Sequence, residues 1–187
     1  MASHGGTNLQ AIMNACNQGV LNAEIKLVIS NNSESKALIR ARAGNIPALH
    51  LSKFTHPGPD DLDWAMKNEF VSRAVDYIIL AGYMRKIGPA LLRAFSGKVL
   101  NSHPSLLPKY GGQGMYGDRV HEAVIQNGEY ETGVTIHIVD GGYDSGMVIS
   151  QEKVEVLVVD SVEDLRRRVQ EVEHRLWVKV LQDICES

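Results

Sequence analysis

Apolar residues recur along this chain with two different periods, and the switches between them mark out its elements. Leu9, Ile12 and Met13 sit at helical spacing and predict a helix over Thr7 to Gln18. Glu24 to Ile29 is a short run of strand-forming character. Ser35 can accept an N–H at the start of a second helix that ends near Gly44. Pro47 to Leu51 predicts another short strand. Leu62, Ala65, Met66, Phe70 and Ala74 share one face of a third helix. Tyr77 to Ala81 is apolar throughout between Asp76 and Gly82, the pattern of a strand covered on both faces. Pro89 to Ala94 predicts a short helix that leads into the strand-like Lys98-Val99-Leu100.

The pattern changes after this point. Thr135 to Val139 and Met147 to Ser150 read as two strands flanking a glycine-rich connection, Asp140 to Gly146. Ser161 with Asp164 three residues on resembles a capping box, with Asp replacing the usual Glu. Leu165, Val169, Val172, Leu176 and Val180 then form the core stripe of a last helix. Strands alternating with helices imply an α/β fold with a mainly parallel sheet covered by helices, to which the late strands add antiparallel pairs. No linker or repeat interrupts the pattern, so residues 1–187 read as a single domain.

Composition narrows the function classes. The 187 residues are 44% hydrophobic and 22% charged, as in ordinary water-soluble domains large enough for one core. A net charge of −3 gives no general reason to expect nucleic acid as a partner. No apolar run is long enough to span a bilayer, and no secretory leader pattern opens the chain. Cys16 and Cys185 lie near opposite ends and suit reduced thiols in the cytoplasm. No Cys/His spacing points to a metal.

The chemistry concentrates in Asn101-Ser-His-Pro-Ser-Leu-Leu-Pro108. In extended backbone, residues i and i+2 face the same side, so Asn101 and His103 present an amide and an imidazole to one spot. Pro104 has no N–H, so the strand is expected to stop there. An amide donor can stabilise a developing oxyanion, and an imidazole moves protons near neutral pH. At the N-terminus, Ser3-His-Gly-Gly-Thr-Asn8 opens a helix with glycines, the arrangement in which backbone N–H groups and a helix dipole meet an anion. His50, His56, His121 and His174 read as structural, His137 as a hydrogen-bonded core residue, and Arg166 to Arg168 as an exposed helix face.

Several separated segments together resemble the folate-dependent formyltransferases. They are Asn101 to Lys109, Leu80-Ala-Gly-Tyr-Met-Arg85, and Thr135 to Asp140 followed by Tyr143-Asp-Ser-Gly146. Ser3 to Gln10, with Val169-Gln170 and Glu173-His174, looks like the branch of that family that formylates glycinamide ribonucleotide. The resemblance implies a Rossmann-like fold and transfer of the formyl group of 10-formyltetrahydrofolate, a cosubstrate, to the amine of glycinamide ribonucleotide in purine synthesis. It implies no metal, and it admits a homodimer. Asn101, His103 and Asp144 are then the expected catalytic residues. Gly5, Gly6, Thr7 and Asn8 are expected at the phosphate, and Gln170 and Glu173 elsewhere on the ribonucleotide. Met84, Arg85, Ile87, Val139, Asp140 and Gly141 are expected along the folate. Asp140 reads as loop or folate-site geometry.

Two departures stand out. Relatives carry a buried strand ahead of the phosphate loop, and here the first strand is apparently missing, so the sheet is expected to lose a central strand or accept an edge. The glycine-rich stretch Gly111 to Gly117 is longer than the usual connection. It reads as a surface insertion, with a mobile cover over His103 as the alternative.

Overall fold

A computed structural model describes residues 1–186. Its elements follow the order α1 (Thr7–Asn17), β1 (Val28–Ser30), α2 (Lys36–Ala43), β2 (Ala48–His50), α3 (Asp61–Ser72), β3 (Ile78–Leu80), α4 (Pro89–Ala94), β4 (Val99–His103), α5 (Asp118–Gln126), β5 (Glu131–Ile138), β6 (Val148–Glu155) and α6 (Val162–Cys185). Nearly all the predicted elements are present. β4 runs on from Val99 to His103 and stops before Pro104, where a ladder N–H would be lacking. The capping box of α6 is complete. Ser161 accepts from the Asp164 N–H at 3.1 Å, and the Asp164 carboxylate accepts from the Ser161 N–H at 3.4 Å. α5 has no counterpart among the predicted elements.

β1 pairs in parallel with β2, and β3 in parallel with β4. The late strands add antiparallel pairs, β4 with β5 and β5 with β6. A split separates the two groups, between β1 and β3. Residues 1–3 run through that split and bond to both sides. The Ala2 N–H donates to the Ile29 carbonyl of β1 at 3.0 Å. On the other side the Ala81 N–H donates to the Met1 carbonyl at 2.8 Å, and the Ser3 N–H to the Gly82 carbonyl at 3.0 Å. Three residues thus join two sheets that would otherwise present bare facing edges, and they carry the chain directly into the glycine loop.

Helices cover both faces. The α6 stripe, Leu165, Val169, Val172, Leu176 and Val180, is buried with Trp177 against Leu100, Val134 and Ile136. The other face buries Met66, Phe70, Leu91 and Phe95 against Ile78, Leu80 and Val99. Ala2, Leu9 and Met13 pack on Val28 and α2 in a smaller cluster. This packing leaves the carboxyl ends of β3 and β4 facing one large cavity.

Candidate active site

The cavity has a volume of about 910 Å³, within the range of small-molecule sites. Its floor comes from β4. Asn101, Ser102 and His103 all reach the cavity lining, but the hydroxyl of Ser102 turns to Glu173 on α6, away from the side chains of its two neighbours, as strand alternation requires. The β4–β5 register sets Asn101 directly opposite His137. The Asn101 Nδ2 lies 3.2 Å from the His137 Nε2. His137 directs its Nδ1 at the Ile138 carbonyl, 3.0 Å away. A carbonyl only accepts, so that nitrogen carries the hydrogen and, in the neutral ring, Nε2 is left to accept the Asn101 amide. His137 is buried and hydrogen-bonded, as the sequence suggested, but it belongs to the site rather than only to the core. Strand alternation in Thr135-Ile-His137 was its only local signal.

His103 is held in the same way. Its Nε2 donates to the Tyr110 carbonyl at 2.7 Å, and its Nδ1 lies 3.4 Å from the Asp144 Oδ2. Burial lowers the His103 pKa. The Asp144 carboxylate and the Tyr110 carbonyl pull it the other way without cancelling the effect, and the neighbouring His137 adds to the lowering. Asp144 shows the opposite balance. Burial works to raise its pKa, but the His137 and His103 imidazoles, when they carry charge, and the Gly112 N–H outweigh it, and the net shift is down. The carboxylate accepts the Gly112 N–H at 3.0 Å on Oδ2 and lies 3.6 Å from the His137 Nε2 through Oδ1. Asp144 adopts a left-handed φ of 53° just past Gly141 and Gly142, and this turn brings its carboxylate to the two imidazoles.

The glycine-rich loop after Tyr110 therefore forms part of the cavity wall as well as of the surface. Gly112 to Gly117 line the cavity, and Gly112 bonds the acidic group at its centre.

At the other end, Gly6 precedes α1 in a left-handed conformation, φ 67°, with no side chain capping the helix. The first N–H groups of α1 are left to the cavity, which Gly5, Gly6, Thr7 and Asn8 line. A methyl at Gly6 would come within 2.9 Å of Ala37, so α2 packs where only glycine fits. Gln170 of α6 reaches this loop, its Nε2 donating to the Thr7 Oγ1 at 2.9 Å. Glu173, one turn on, also lines the cavity. Burial raises its pKa, and hydrogen bonds from Ser102 and Asn8 oppose that rise.

The third wall contains Met84, Arg85, Ile87, Val139 and Gly141. Lys86 and Tyr143 face each other across it, with the ammonium 5.5 Å from the ring centre. The Ser3 hydroxyl accepts the Met84 N–H at 2.8 Å, tying this wall to the glycine loop. Of the predicted residues, only Asp140 lies off the cavity lining. Its carboxylate turns into its own loop, accepting from the Gly142 N–H at 3.1 Å and the Ser145 hydroxyl at 3.2 Å. Among the described residues, no cluster of three or more His, Cys, Asp or Glu is placed to hold a metal ion. Nor is any helix long and apolar enough to cross a membrane.

Comparison with known proteins adds the next observation. The family model described as "Formyl transferase" matches residues 1–181. The chain belongs to the formyl transferase family. It is 37% identical over 186 residues to the chloroplastic phosphoribosylglycinamide formyltransferase of Arabidopsis thaliana, covering 99% of this chain and 64% of that protein. The enzyme of the same name from Haemophilus influenzae is also 37% identical, over all of this chain and 86% of its own length. Thus the chain spans under two thirds of the plant relative but most of the bacterial one. The crystal structure of glycinamide ribonucleotide transformylase 1 from Symbiobacterium toebii superposes with a TM-score of 0.92 at 37% identity, over 99% of this chain and 85% of that one.

Proposed function

We propose that this chain transfers the formyl group of 10-formyltetrahydrofolate to the amine of glycinamide ribonucleotide, in de novo purine synthesis. One observation carries the reading. Asn101, His103, His137 and Asp144 meet at the floor of a cavity that also holds a helix N-terminus suited to a phosphate. Similarity over nearly all of this chain to enzymes named for that reaction supports it. With free thiols at Cys16 and Cys185, we place the protein in the cytoplasm.

In this reading the Gly5 to Asn8 turn binds the ribonucleotide phosphate, and Gln170 and Glu173 hold the ribose hydroxyls or the glycinamide end. Met84, Ile87 and Val139 cover the faces of the folate heterocycle. The neutral amine attacks the formyl carbon, and negative charge grows on the formyl oxygen. The Asn101 amide has two N–H groups. One faces His137, and the other is available to the oxyanion. The Tyr110 carbonyl fixes a hydrogen on the His103 Nε2, so proton traffic runs through Nδ1, on the side of Asp144. The amine gives up one proton, the carbon–nitrogen bond to folate breaks, and the folate nitrogen regains a proton. His103 and Asp144 carry that transfer, directly or through water.

The test is a formyl-transfer assay with glycinamide ribonucleotide as acceptor, run beside methionyl-tRNA and water. Formylation of the ribonucleotide well above both controls is the expected result. Equal or faster transfer to either control overturns the reading.

A further inference from the structure

Ser102 occupies the strand position between the two floor residues, yet its side chain serves the opposite face of the sheet. The Trp177 Nε1 lies 3.1 Å from the Ser102 Oγ, and that oxygen lies 2.5 Å from the Glu173 Oε1. The directions of these bonds follow from the groups. An indole N–H only donates, so it takes a lone pair of the serine oxygen. The single hydroxyl proton is then committed to the Glu173 carboxylate. Trp177 is completely buried in the main core, so its ring cannot turn away without opening a cavity. The chain Trp177, Ser102, Glu173 is therefore anchored at one end in the buried core beneath α6. At the other end it reaches a carboxylate that lines the cavity. Asn8 donates to the same carboxylate from the glycine loop.

We infer that Ser102, oriented by Trp177, is a positioning residue for the ribonucleotide, aiming the Glu173 carboxylate as an acceptor for substrate hydroxyl or amine hydrogens. The inference rests on the proposed function and extends it. One strand then serves both halves of the reaction. Asn101 and His103 face the transferred carbon, and Ser102 holds the group that seats the acceptor. A shift of β4 would disturb both at once.

The Ser102→Ala variant removes the hydroxyl and little volume. With glycinamide ribonucleotide as the varied substrate, KM is expected to rise about five- to tenfold with kcat within about twofold, because one hydrogen bond to a charged group is lost. Ser102→Thr, which keeps the hydroxyl, is expected to recover most of that loss. Combining Ser102→Ala with Glu173→Gln should raise KM no further than Glu173→Gln alone. A folded Ser102→Ala protein with unchanged KM overturns the inference, as does a loss confined to kcat or melting temperature. A second readout needs no substrate and so separates this inference from the assigned reaction. In the indole N–H spectrum, Glu173→Gln should move the Trp177 resonance through Ser102 and leave that of Trp64 unmoved. The Trp177→Phe variant identifies the peak. A Trp177 resonance indifferent to Glu173→Gln shows that no such chain exists and overturns the inference, even in a protein that formylates its substrate. Should the wild-type protein fail to formylate the ribonucleotide while the resonance moves, the reaction is misassigned and the positioning chain stands.

Discussion

The floor and the rim of this cavity are built on different principles. The floor is made of side chains on paired strands. Asn101, His103 and His137 are placed by the pleat and by the β4–β5 register, and each makes a hydrogen bond to a fixed partner. The rim is made of glycine turns, Gly5 to Asn8, Gly112 to Gly117 and Gly141 to Gly142, whose backbones form the wall. Strands hold reacting groups to within fractions of an ångström, because the ladder and the core resist displacement. Glycine turns bring N–H groups close to a ligand and adopt left-handed conformations that other residues resist. The proposed function accordingly puts the chemistry on the floor and recognition on the rim. Asp144 belongs to both, a side chain of the floor cluster carried on a turn of the rim.

The largest effect is expected where the floor is cut. Asn101→Ala removes the side-chain amide that the proposed function assigns to the formyl oxygen. Its single-turnover rate should fall by roughly two to three orders of magnitude, about 3–4 kcal/mol, with folding retained. His103→Ala should remove most turnover in the same way. An unchanged single-turnover rate in folded Asn101→Ala would place the oxyanion elsewhere, and the division between floor and rim would fail.

A cut in the rim should behave differently. Gly6→Ala forces a methyl against the Ala37 backbone at 2.9 Å in a left-handed turn. It should cost about 2–3 kcal/mol of stability. Ribonucleotide binding should weaken several-fold while kcat at saturation changes little, because the floor is untouched. Calorimetric titration with glycinamide ribonucleotide and a urea melt check both parts. A kcat loss as deep as that of Asn101→Ala would show that the two regions are not separable.

What could be read from the sequence follows the same division. Asn101 and His103 were legible because their relation is local, two positions apart on one strand ending at Pro104. The capping box of α6 and its core stripe were legible for the same reason. His137 was legible as a buried, hydrogen-bonded residue, but its place beside Asn101 was not, because that partner lies 36 residues away and only the antiparallel register brings the two together. Ser102 was passed over because its neighbours on both sides carried the chemical signal, while its own partners stand on α6. The helix α5 was missed because Gly117 starts it without a capping side chain, and its buried positions are only Val120, His121 and Val124. The contact of the Gly111 to Gly117 stretch with the site was not legible because glycine runs look alike whether they wander over the surface or line a site. Length and composition do not record which way a backbone N–H points. Met1 to Ser3 carried too few residues to register as an element, yet their hydrogen bonds join the two halves of the sheet.

His121 lies at the boundary between the two regions, just past the rim loop and buried beneath the cavity. Burial pushes its pKa down to about 4, against help from Asp118 and with Arg166 and His103 adding to the fall. The unfolded chain therefore takes up a proton near pH 6.5 that the folded chain refuses until about pH 4. Stability should fall as pH drops through that window and level off below it. At pH 5 the His121 contribution is about 2 kcal/mol relative to neutral pH. Urea melts at pH 7 and pH 5 should lose less stability in His121→Gln than in the wild type, whatever the variant costs at pH 7. Equal losses in the two proteins would mean that this imidazole titrates normally in the fold.

The smallest effect tests the point where rim and floor meet. Gly112 and Gly114 both have left-handed φ values, 95° and 90°, and a methyl on either would meet no atom within 4 Å. Alanine at either position should therefore cost a similar amount, about 1 kcal/mol, from backbone strain alone. Only Gly112 donates its N–H to Asp144. That bond helps to hold the carboxylate ionised and aimed at His103. A strained turn moves this N–H, so Gly112→Ala should lower kcat several-fold, while Gly114→Ala leaves kcat near the wild-type value at the same loss of stability. The difference between the two variants isolates a single backbone hydrogen bond from the strain that accompanies it. Equal kcat values would mean that Asp144 owes its position to its own left-handed turn and the two imidazoles. The loop would then be a wall that touches the catalytic cluster without supporting it.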